Sequence, residues 1–116
     1  METTRKLTCR IFREPEKPEP PPSAKELGVR LRQDGGVYEV LSRRTEERLG
    51  IVYRDESVMQ DDDGRESVWR GWGYTEEKTG ERAFAETRRE AIEWLADVPS
   101  AQRRARAWAD YWRAKD

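Results

Sequence analysis

The sequence predicts an α+β domain: an antiparallel β-meander of three to four strands packed against one α-helix, followed by a C-terminal amphipathic helix. Three observations predict it. Val68, Arg70, Trp72 and Tyr74 share one parity and Trp69, Gly71 and Gly73 the other, which is the alternation of a half-buried strand. Thr79-Gly80 turns the chain into a short return strand. Thr87 and Glu90 then form a capping box, each side chain satisfying a free backbone amide at a helix start. Ala91, Trp94, Leu95 and Val98 follow at i, i+3, i+4 and i+7, an apolar stripe that places Trp94 in the core between helix and sheet.

Taken in order, residues 1–23 hold a candidate short strand, Leu7-Thr8-Cys9-Arg10-Ile11-Phe12, and then five of the six prolines, from Pro15 to Pro22. Proline has no amide to give a ladder, so this stretch is extended; a semi-rigid spacer suits it better than a ligand for a proline-binding groove. Residues 24–98 make the sheet-plus-helix domain. Ser23 and Glu26 match a capping box, so one helical turn ends at Gly28. Val29, Leu31 and Gln33 alternate with arginines, Asp34-Gly35-Gly36 turns, and Val37-Tyr38-Glu39-Val40-Leu41-Ser42 returns as a hairpin partner. On the next strand Leu49, Ile51 and Tyr53 face one way and Val52 the other.

Asp61-Asp62-Asp63-Gly64 suggests calcium, but aligning Gly64 with the invariant glycine of a helix-loop-helix calcium site puts Met59 at the first ligand position and Arg70 at the last. A hairpin tip explains Asp63-Gly64 better. In residues 99–116, Pro99 stops the first helix and Ser100 caps a second, in which Ala101, Ala105, Trp108 and Trp112 recur on one side. This helix either packs on the domain or docks on a partner.

Composition narrows the function. Of 116 residues 34% are apolar and 41% charged, yet five tryptophans are present, so a folded core carries polar flanks. One cysteine, Cys9, cannot build an internal disulfide, and with no histidine the commonest zinc ligand and the commonest proton carrier near neutral pH are both missing. The carboxylates, lysines and tyrosines are not paired at spacings that make a catalytic site. The expectation is a non-enzymatic protein without metal or cofactor. No apolar run reaches membrane-span length and the start lacks the apolar segment of a signal peptide, which predicts a cytoplasmic protein.

At Trp69-Arg70, Gly80-Glu81-Arg82, Phe84 and Thr87-Arg88-Arg89-Glu90-Ala91 through Trp94-Leu95, the sequence resembles the arm-binding domain of phage-type integrases and similar small phage or plasmid proteins. The resemblance covers residues 68–95. It implies a three-stranded sheet backed by a helix, a mobile-element origin, and strands that sit in a DNA groove.

Charge weighs against that last implication. Residues 37–95 hold ten Arg or Lys against fifteen Asp or Glu, whereas phosphate neutralisation needs the opposite balance. The reading that follows is a small interaction protein of phage or plasmid type, an inhibitor or adaptor that binds a host protein through an acidic, aromatic-bearing surface. Because glycines flank Trp69, that residue is expected under the first helix. Trp72, Tyr74, Arg70, Tyr38 and Glu39 are then the candidate partner-binding residues. The alternative is a DNA-binding accessory protein using the sheet or the basic start of the last helix, Arg103, Arg104 and Arg106. Oligomeric state has no signature in the sequence.

Overall fold

A computed structural model describes residues 15–115; the candidate strand of Leu7 to Phe12 and Cys9 lie outside the described residues. The α+β class is as expected, with an open antiparallel sheet and two helices. Five strands follow one another as neighbours: β1 (Val29–Asp34), β2 (Val37–Ser42), β3 (Arg48–Gln60), β4 (Glu66–Glu76) and β5 (Arg82–Ala85). The helices α1 (Arg88–Ala96) and α2 (Val98–Lys115) complete the order.

Local chemistry sets the joints. Gly35, at φ 64°, makes the β1–β2 turn, and the chain from Ser23 to Gly28 makes one turn in which the Glu26 amide bonds the Ser23 hydroxyl at 3.3 Å. Thr87 caps α1 by accepting from the Glu90 amide at 3.2 Å. Asp97 separates the helices and caps α2, its carboxylate accepting from the Ser100 amide at 3.2 Å. The expected cap was Ser100. The helix instead starts at Val98 and takes Pro99 into its first turn, where no amide donor is needed.

Facing residues in antiparallel strands point to the same side, so the register sorts the sheet into two faces. Leu31, Val40 and Gly50 lie in one row across the strands, Tyr38, Val52 and Tyr74 in the next, then Trp72 with Ala85. This face carries α1. Val40, Val52, Ala85, Ala91 and Ile92 are its buried centre, with Leu27, Leu31, Leu95 and Ala96 around them. Gly50 permits the closest approach: a Cβ there would run into the Leu95 side chain and the Thr75 carbonyl.

Two expectations are corrected here. The faces of the aromatic strand are reversed: Trp72 lies on the α1 side, 6.2 Å from the Tyr38 ring, and Trp69 lies on the opposite face. The glycines at 71 and 73 do make room, but for side chains of their own face. A Cβ on Gly71 would collide with the Trp69 ring and one on Gly73 with the Tyr53 ring. The second correction is the rotation of α1. Its buried residues are Ala91, Ile92 and Glu93, and it meets the sheet through Ala91, Ile92, Leu95 and Ala96. Trp94 is turned toward α2, and Val98 is exposed. The reason is the second helix, which follows after a single residue and needs a side of α1 to pack on.

The two placements are separable by mutation. Ile92→Ala is expected to cost about 2–5 kcal/mol, as for a large-to-small change in a core, and Val98→Ala to stay within about 0.5 kcal/mol. Urea unfolding midpoints read both; the reverse order would restore the predicted stripe.

Candidate functional site

Two surfaces remain once the core is assigned. The first is the sheet face away from α1, together with the ribbon that extends it. Beyond Arg54, which faces Trp72, the last β4 residue paired to β5, residues 55–60 and 66–71 pair only with each other. They form a two-stranded ribbon closed at Asp61, whose carboxylate accepts from the amides of Asp63 (3.2 Å) and Arg65 (2.8 Å), with Gly64 at φ 79°. The Asp triplet thus serves a turn. Among the described residues no group of three or more His, Cys, Asp or Glu is placed to hold a metal ion. The ribbon leaves Val58, Met59 and Val68 at 67%, 58% and 55% exposure.

Nearer the body, no described element packs over this face. Tyr53 and Trp69 lie flat in the seats left by Gly73 and Gly71, and Phe84 meets Trp69 edge to face at 5.7 Å. The Tyr53 hydroxyl accepts from Arg82 Nε at 2.6 Å, and Arg82 also lies 3.8 Å from Asp55. Glu39 sits between Arg32 and Arg48, and Arg48 bonds Glu77 at 2.9 Å through both Nε and Nη2. Hydrogen bonds from Arg32 and then from Arg48 hold the Glu39 carboxyl below its ordinary range. The charges of this face largely neutralise one another.

The second surface is a cleft of about 370 Å³ between the end of β5, α1 and α2. Phe84, Trp94, Trp108 and Trp112 wall it, with the carboxylates of Glu86 and Glu90 among them. Burial pushes the Glu90 carboxyl up, and the neighbouring Glu86 charge adds to this. At its base Glu93 is only 1% exposed; it accepts from Arg104 Nε at 3.0 Å and from the Ser100 hydroxyl at 2.7 Å. Arg104 also donates to the Glu19 carbonyl, so the proline-rich segment lies against α2.

The residues singled out from the sequence do not share one surface. Trp72, Tyr74 and Tyr38 are half-buried on the α1 face, with Arg88 4.8 Å from the Tyr38 ring centre and Arg54 5.1 Å from that of Trp72. Arg70 stands on the ribbon, 3.3 Å from Glu56. Glu39 is on the other face. Of the three helix arginines, Arg103 and Arg106 are exposed, whereas Arg104 is spent on Glu93. The sequence reading missed Glu93. Its signal was spacing: Ser100 and Arg104 follow Glu93 by seven and eleven residues, two and three helical turns, across a break of one residue.

Compared with known protein families, with curated proteins and with solved structures, the chain matches none of them. Among the described residues no helix is long and apolar enough to cross a membrane.

Arg104→Ala leaves the Glu93 carboxylate buried without its cation, which is expected to cost about 3–5 kcal/mol; Arg103→Ala is expected to be near neutral in the same denaturation experiment. For Glu39 the sign follows from its lowered pKa. The stabilisation is present above the unfolded value, about 4.3, and is lost as pH falls through it toward the folded value. Melting temperatures measured from pH 6 down to about pH 3 should therefore fall less steeply for Glu39→Gln than for the parent.

Proposed function

We propose that the chain is a small non-enzymatic protein-binding module whose β3–β4 ribbon docks on a basic surface of a partner protein. The observation that carries this is the ribbon itself. A two-stranded hairpin without a third strand is marginal in water, and this one exposes Val58, Met59 and Val68 where a solvated ribbon would carry polar residues. Val58 and Val68 face one another on one side of the ribbon and Met59 stands on the other. Residues 55–70 hold six carboxylates against Arg65 and Arg70, so a partner that grips the ribbon presents cationic groups around apolar contacts. This keeps the acidic, aromatic-bearing surface expected from the sequence but moves its centre from Trp72 to the ribbon, where Met59 shares its side with Tyr53, Trp69 and Phe84 and the Val58–Val68 pair points the other way.

An inhibitor or adaptor role of phage or plasmid type rests on the wording of residues 68–95. A strand, a turn, a second strand and a helix in that order suit any meander closed by a helix, and so carry the fold further than the function. DNA binding is the second reading. It is supported by the shape of the ribbon, which suits a groove, and opposed by its acidity.

Affinity capture separates the readings. The full chain is expected to retain one stoichiometric protein, and the triple change Val58→Ser, Met59→Ser, Val68→Ser to lose it while melting within a few degrees of the parent. Retention by the variant would overturn the assignment to the ribbon. A shift of duplex DNA that weakens steeply as salt rises would replace protein binding by the second reading.

A further inference from the structure

The cleft between β5 and the helices joins two kinds of wall. Trp94 and Trp108 offer aromatic rings, whose faces attract cations, and Glu86 and Glu90 offer carboxylates. The nearest cation, Arg104, is already held by Glu93 and the Glu19 carbonyl. Among the described residues neither Glu86 nor Glu90 has an ion-pair partner. The Glu86 amide and the charge of Arg104 favour the Glu90 carboxylate, but burial and the Glu86 charge outweigh them, so the site carries a negative charge without an ion pair inside an apolar frame.

We propose that this cleft receives a basic side chain, an arginine or lysine borne between apolar residues on a segment of a partner protein. Its volume, about 370 Å³, is that of a small ligand site and takes a long side chain with its stem against the rings. Exposed rings stand at both ends, Phe84 at the mouth near β5 and Trp112 a turn beyond Trp108 on α2. They extend the site past the reach of one amine and suit the flanking residues of a chain segment. The occupant is thus a peptide and not a free cation.

A carboxylate set among rings and beside a like charge adds little to the stability of the free domain, and groups so placed cluster at functional sites. Burial and the Glu86 charge both work against the Glu90 charge, while the cap itself runs from the Glu90 amide to Thr87 and the bond that the Glu90 side chain accepts from the Glu86 backbone is open equally to glutamine. Glu90→Gln is therefore a clean variant: the helix start survives and the charge is gone. Stability and binding are expected to move in opposite directions.

The experiment follows tryptophan fluorescence of the full chain titrated with the blocked tripeptides Leu-Arg-Leu and Leu-Gln-Leu, and with choline chloride. Leu-Arg-Leu is expected to give a saturable change, with Leu-Gln-Leu at least about tenfold weaker. Glu90→Gln should weaken Leu-Arg-Leu by about tenfold or more and melt at the parent's temperature or above. Trp108→Ala should weaken it too, and the ribbon variant Val58→Ser, Met59→Ser, Val68→Ser should bind it like the parent, so that this site stands or falls separately from the ribbon. Equal binding of the two tripeptides would make the cleft a plain apolar groove. Choline binding as tightly as Leu-Arg-Leu would make it a small-cation site. Either result, an unchanged affinity in Glu90→Gln, or no saturable response to Leu-Arg-Leu up to about 10 mM, overturns the proposal.

Discussion

One buried carboxylate governs how the helices sit. Removing Glu93 from water costs several kcal/mol unless charge and hydrogen bonds are returned to it, and Arg104 and Ser100, both on α2, return them. That requirement fixes the rotation of both helices at once. With Glu93 turned inward to α2, Ile92 on one side of it meets the sheet and Trp94 on the other lines the cleft. The same arginine reaches the carbonyl of Glu19, so the proline-rich segment is tied to the helix pair by the group that neutralises Glu93.

The two faces of the sheet are built on different terms. Under α1, small residues in register (Gly50, Ala83, Ala85) let a helix come close, and the large rings of Tyr38 and Trp72 stand at the margin with arginines against them. On the other face the glycines belong to side chains, each providing a shelf for a ring. Charge follows the same division. Across the body of the open face Arg32, Glu39, Arg48 and Glu77 alternate and cancel, while much of the uncancelled acidity stands on the ribbon and in the cleft.

The fold was legible because its determinants are local: alternation for the strands, Gly35 and Gly64 for the turns, Thr87 with Glu90 for the helix start. What was not legible was orientation. Parity says that Trp69 and Trp72 point to opposite sides and is silent on which side a helix takes. The clue used, glycines as room for a helix, described an effect that a neighbouring ring produces equally well. Helical phase failed for a similar reason. A stripe of Ala91, Trp94, Leu95 and Val98 is the best single apolar face, but α1 has two neighbours and divides its apolar residues between them, with a glutamate at the seam. Residue 93 looked like solvent because its partner lay on an element not yet placed. The candidate binding residues are spread over both faces by these placements, and Arg70, at the base of the ribbon, is the one that stands beside the ribbon surface proposed above.

Every strand of this sheet is bonded to its neighbour in the chain, so each pairing closes only a short loop. Such a topology has low contact order and assembles hairpin by hairpin without waiting for distant segments to meet. The bond from Arg104 to Glu19 is of another kind, spanning 85 residues. It has nothing to grip until α1 and α2 are seated on Glu93, which places it at the end of assembly. Assembly thus runs from local hairpins outward and ends with the proline-rich segment drawn against α2.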